Sequence, residues 1–93
     1  MESIIQNEKK CIVCGRQTML ESHHIFMGNP NRKNSERYGL KVWLCKEHHT
    51  GNSGVHQDIK LDWRLKRIAQ MEFEKRYDRN VFMAIFGRNY LED

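Results

Sequence analysis

The chain has 93 residues, enough for one domain whose single hydrophobic core is only modestly stable without an added cross-link or metal. Sixteen Lys and Arg against twelve Asp and Glu give a formal charge of +4 and a pI near 9.1, a balance that favours polyanionic partners without identifying one. Three cysteines, an odd number, fit a disulfide framework poorly, and no apolar run approaches bilayer length; the expectation is a cytoplasmic protein with no membrane contact.

Residues 1–9 carry charge, no apolar run of signal-peptide length, and little beyond Ile4 and Ile5 to anchor them. They are expected to be a flexible N-terminus ahead of a single domain over 10–93. CIVCGRQ (11–17) reads as a tight metal-binding turn, with Gly15 where a knuckle needs tolerance of positive φ. TMLESHHIF (18–26) is compatible with a strand leading into a histidine pair. MGNPNRKNSERYG (27–39), with the only Pro, two Gly and three Asn, reads as an exposed loop. Its cations Arg32, Lys33 and Arg37 either solvate that loop or contact phosphate.

LKVWLC (40–45) has a strand pattern that ends on the third cysteine, and KEHHT (46–50) reads as a short helical turn stopped by GNSG (51–54). From Asp58 to Tyr77, Leu61, Leu65, Ile68, Ala69, Phe73 and Tyr77 recur at steps of three and four, predicting an amphipathic helix. Asp78 can cap a second helix carrying Val81, Phe82, Ile85 and Phe86 and closed by Gly87.

Cys11 and Cys14 at CxxC spacing, with Cys45 and His48 at CxxH spacing, form a four-ligand set for a structural zinc. A small chain gains folding free energy from such a staple, and four filled positions leave none for catalysis. Neighbours on a helical turn point about 100° apart, so His49 can face a different pocket from His48. On a strand, neighbours such as His23 and His24 point to opposite faces, and both reach one site only where the strand bends or ends.

CxxCG, then HH, a loop, a strand and CxxHH together resemble the HNH endonuclease family, over roughly residues 11 to 56. The wider pattern, HHIFMGNPNRKNSERYGL through LCKEHH, GVH and FGRNYL, is similar to small HNH proteins of bacteriophages and prophages. The resemblance implies an α+β fold with a zinc-stapled ββα-metal core over 11–56 and two C-terminal helices within 58–93. It implies a metal-dependent DNA endonuclease leaving 5′-phosphate and 3′-hydroxyl ends.

In that reading His24 is the general base, and His23, His49 and His56 hold a catalytic divalent metal. Histidine ligation suits Mn, Ni, Co or Zn better than Mg. The family's middle Asn would fall near Gly39 or Leu40, so the orienting amide is expected from Asn34, with Asn29 and Asn31 as alternatives. Partners implied are DNA, contacted through Arg32, Lys33 and Arg37, and either a phage protein or a second copy of the chain. The alternative reading is a catalytically weak or inactive zinc-stabilised nucleic-acid-binding adaptor, motivated by the missing Asn.

Overall fold

The computed structural model describes residues 2–91. Within them the order is β1 (Leu20–His24), α1 (Asn31–Tyr38), β2 (Lys41–Cys45), α2 (Lys46–His49), α3 (Ile59–Arg76) and α4 (Arg79–Phe86). The fold is α+β: a two-stranded sheet with four helices among the described residues. The strands run antiparallel with Leu20 opposite Cys45, His23 opposite Val42 and His24 opposite Lys41. Alternation along β1 sends His23 into the interior, where it is 2 % exposed, and leaves His24 half-buried on the other face.

The segment expected to be a loop, 27–39, contains α1, and this is a correction. Its Pro and Gly are boundary residues rather than signs of irregular chain. Pro30 stands at the N-cap, and Gly39, at φ +71°, closes the helix in the left-handed conformation with its N–H directed to the carbonyls of Glu36 and Ser35. The helix is fixed from within by one polar side chain. Buried Ser35 donates to the Phe26 carbonyl at 2.8 Å and accepts from the Phe26 amide at 3.1 Å. α1 is thereby tied to the end of β1.

The N-terminal segment runs along β2 and α1. Ile4 N–H donates to the Gly39 carbonyl, Ser3 Oγ donates to the Lys41 carbonyl, and Trp43 N–H donates to Gln6 Oε1. Ile4 and Ile5, half-buried, pack against the core.

The core lies between the sheet and the two long C-terminal elements. Ile25, Phe26, Leu40, Val42 and Leu44 meet Leu65, Ala69 and Phe73 of α3 and Phe82 and Phe86 of α4. Phe26 stacks at 4.5 Å on Phe86 and 5.5 Å from Phe82, while Phe73 lies 5.4 Å from Phe82. Both expected caps form: Asp58 accepts from the Lys60 and Leu61 amides, and Asp78 accepts from Val81. Tyr77, placed on the apolar face by periodicity, instead ends α3 and is 44 % exposed. Gln70 interrupts the apolar face without cost because its amide is satisfied by Glu74, Asn89 and the Tyr90 N–H. No helix among the described residues is long and apolar enough to cross a membrane.

Ser35→Ala removes the acceptor for the buried Phe26 N–H. The expected loss is about 1–3 kcal/mol in urea unfolding, the cost of an unsatisfied buried donor, with zinc content unchanged.

Candidate metal centres

Two clusters of metal-ligating side chains form among the described residues. The first joins Cys11, Cys14, Cys45 and His48, the set read from the paired spacings. Cys11 and Cys14 sit on a knuckle closed by Gly15 N–H to the Cys11 carbonyl and Cys11 N–H to the Arg16 carbonyl, both at 2.8 Å. Gly15 adopts φ +79°, which glycine reaches without strain. Ile12 N–H donates to the Trp43 carbonyl and ties the knuckle to β2. Cys45 ends β2 and caps α2, so His48 arrives one turn later.

The spacing fits a tetrahedral ion. Ligands about 2.3 Å from a zinc lie about 3.8 Å from one another. Cys14 and Cys45 sulfurs are 3.8 Å apart, Cys11 Sγ lies 3.7 Å from His48 Nδ1, and Cys45 Sγ lies 3.3 Å from the same nitrogen. A disulfide, by contrast, needs sulfurs about 2.05 Å apart. Burial pushes the Cys11 thiol up, but the backbone amides of Cys45, Cys14 and Val13 outweigh it and hold the pKa down to about 6. The Arg16 amide favours the Cys14 thiolate; burial and the sulfurs of Cys11 and Cys45 override it and raise that pKa. Amides aimed at sulfur are what a thiolate–metal site requires.

The second cluster is His23, His49 and His56, with one nitrogen of each within 4.8 Å of the others. Ring centroids are 5.0–5.5 Å apart. His23 Nε2 is buried with no hydrogen-bond partner. Burial, followed by the neighbouring His49, His56 and His24 and then Lys66, pushes the His23 pKa down to about 3, so this imidazole is neutral with a free lone pair. A buried ring nitrogen left unpaired among two further imidazoles is the donor chemistry that a divalent transition metal satisfies.

His49 reaches the cluster because it follows His48 on α2, and its Nδ1–H donates to Glu21 Oε1 at 2.7 Å. That contact leaves Nε2 as the coordinating atom, the arrangement in which a carboxylate orients a metal-bound imidazole. His56 arrives through the GNSG loop, which doubles back on α2: Val55 N–H donates to the His48 carbonyl at 2.8 Å, and a Cβ on Gly54 would lie 2.7 Å from the His49 carbonyl oxygen. The long spacing between His49 and His56 is therefore taken up by a fold-back that only a residue without a side chain permits.

His24 stands beside this cluster, held from α1. Its Nε2 lies 2.9 Å from Glu36 Oε1, and the other carboxylate oxygen accepts from Lys41 Nζ at 2.8 Å. Lys41, then His24, hold the Glu36 carboxyl well below the usual carboxylate range. The histidines line one cleft of about 290 Å³ with Ser22, Met27, Gly28 and Arg32. Arg32 is thus the one cation of the predicted three on the cleft; Lys33 is exposed, and Arg37 stacks over Tyr38 at 5.6 Å. Asn34 does not line the cleft, and the group that meets His24 is Glu36, two residues farther along α1.

Glu21 and Glu36 were not singled out in the sequence. Glu21 carried a usable signal, since it precedes His23 by two on a strand and so shares its face. Glu36 carried none while 27–39 read as a loop. No family model, curated protein or solved structure matches the chain.

Cys45→Ser should release about one zinc per chain and unfold the domain or lower its Tm sharply, because structural zinc binding is itself folding free energy. Metal analysis by mass spectrometry with a thermal melt reads both; a variant that kept its zinc would refute the assignment.

Proposed function

We propose that the chain is a metal-dependent endonuclease of the HNH type, hydrolysing DNA phosphodiesters. One observation carries this reading: three imidazoles converge around an unpartnered buried nitrogen of His23, and beside them a fourth, His24, is gripped by an ionised carboxylate. The order β1, β2, α2, with the Cys3His set at the β2–α2 junction, supports a ββα-metal core, here with α1 inserted between the strands.

His23, His49 and His56 would hold the divalent cation, which when bound supplies positive charge against the phosphorane and the leaving oxygen. The remaining steps belong to the chain's own side chains. Glu36 accepts a hydrogen bond from His24 Nε2–H, which keeps that proton on Nε2, fixes the tautomer and leaves the Nδ1 lone pair free. Nδ1 takes a proton from the water that attacks phosphorus, and the imidazolium so formed is stabilised by the same carboxylate. Lys41 keeps Glu36 ionised and immobile. Arg32, on the cleft wall, offers a planar fork to a non-bridging phosphate oxygen. Glu36 fills the orienting role expected of Asn34, and the missing family Asn ceases to be an argument for inactivity.

The test is conversion of supercoiled plasmid to nicked or linear form by purified protein with Mn, Ni, Co, Zn or Mg. His24→Ala is expected to lower cleavage by about 10²–10⁴-fold with zinc content and fold intact. Wild-type protein that binds the plasmid yet leaves it uncut with every metal would support the adaptor reading instead.

A separate outcome is expected at Glu36. Glu36→Ala should slow cleavage by about 10²-fold, the cost of a misplaced catalytic group, while Glu36→Gln, which keeps an acceptor for Nε2–H, recovers much of the rate at unchanged KM. Equal loss in both variants would show that the carboxylate does not act through that hydrogen bond.

A further inference from the structure

A second feature lies on the outward side of α3. Lys60, Arg64 and Arg67, at steps of four and three, form one stripe running about 10 Å along the helix axis. With Ile59 and Trp63 they line a shallow groove that has no carboxylate in its wall. Its floor is apolar: Ile59 is 78 % exposed, an unusual position for an isoleucine, and half-buried Trp63 packs 5.0 Å from Tyr90. Arg88 lies over Trp63 at 4.9 Å and extends the cationic edge.

The charge is segregated. The acids of α3 are engaged elsewhere, Asp62 with Lys66, Glu72 with Lys75 and Glu74 with Arg79. Lys60 and Arg64 have no salt-bridge partner among the described residues, so their charge is directed to whatever occupies the groove. Ile59 follows His56 by three residues, and extended chain covers at most about 3.6 Å per residue. The Cα of Ile59, at one end of the groove, therefore lies within about 11 Å of the Cα of His56.

We propose that this groove is a nucleic-acid track: Lys60, Arg64 and Arg88 hold successive phosphates of the DNA strand flanking the histidine site, over a floor of Ile59 and Trp63. Cations edging an aromatic floor suit a single strand, whose backbone and base faces both find partners. An acidic peptide would use the charges but brings no bases to the floor of Ile59 and Trp63. The identity of the strand rests on the nuclease reading; the binding itself does not.

The experiment measures binding without cleavage, by fluorescence anisotropy of a labelled single-stranded oligonucleotide with zinc-loaded protein and no other divalent ion. The double variant K60E/R64E should raise Kd by about tenfold or more and make the slope of log K against log salt shallower by about 1.4, two single-strand phosphate contacts at about 0.7 each. K60Q/R64Q, a gentler change, should move both in the same direction by less. In Trp43→Phe, which leaves Trp63 as the sole tryptophan, the oligonucleotide should quench emission.

Folded, zinc-loaded variants with unchanged Kd and salt slope would overturn the proposal. So would wild-type protein that fails to bind the oligonucleotide, or polyglutamate that displaces it at equal charge concentration. Wild-type protein that binds through the groove but cleaves with no metal would retire the nuclease reading and leave the track standing.

Discussion

The rest of the structure depends on one constraint: Cys11, Cys14, Cys45 and His48 come together closely enough to hold a single metal ion. The short sheet has only two strands, and a two-stranded ribbon is marginal in water without something packed or bonded against it. The Cys3His set joins the N-terminal knuckle to the point where β2 becomes α2. This fixes the end of the strand, the start of the helix and the angle between them. Because His48 is anchored there, His49 has no freedom in its direction. It must turn away from the first cluster, and Glu21 on β1 meets it.

The same economy governs the other histidine pair. β1 delivers His23 to the interior and His24 to the opposite face, and the chain then leaves the strand for α1. α1 is bound to the strand end through Ser35, and one residue later it presents Glu36 to His24. Two carboxylates from different elements therefore hold the two imidazoles by opposite ring nitrogens. Glu21 leaves Nε2 of His49 open and Glu36 leaves Nδ1 of His24 open. Each contact selects a tautomer as well as an orientation, so the cleft is ordered before any ligand enters.

The elements that carry strong local signals were legible in the sequence. The four-residue spacing of Leu65, Ala69 and Phe73, the caps Asp58 and Asp78, and the terminal Gly87 each report their own position, and the structure has them there. Paired CxxC and CxxH spacings also sufficed to bring Cys11, Cys14, Cys45 and His48 together. α1 was not legible, because its only buried residue is a serine and its apolar face is nearly absent, so periodicity had nothing to register. Its stability comes from tertiary bonds to Phe26, which no local pattern announces. Glu36 was hidden for the same reason. His56 was named through the family resemblance in spite of its long spacing from His49, and the close approach of Gly54 to the His49 carbonyl shows how that distance is absorbed.

The distribution of charge follows from these placements. A site of three imidazoles would concentrate positive charge if it held a divalent ion, and a nearby surplus of cations would weaken it. Among the described residues, two cations near the cleft are offset, Lys41 by Glu36 and Lys66 by Asp62, and Arg32 on the cleft wall is not. Lys60 and Arg64, also without a salt-bridge partner among the described residues, stand on the outward side of α3, which begins three residues of chain after His56. There they add to the field felt by an approaching polyanion while solvent screens them from the buried His23. A basic pI alone says nothing of where charge acts, whereas the structure sets Lys60 and Arg64 on an exposed face of α3, apart from a cleft whose donors are imidazoles.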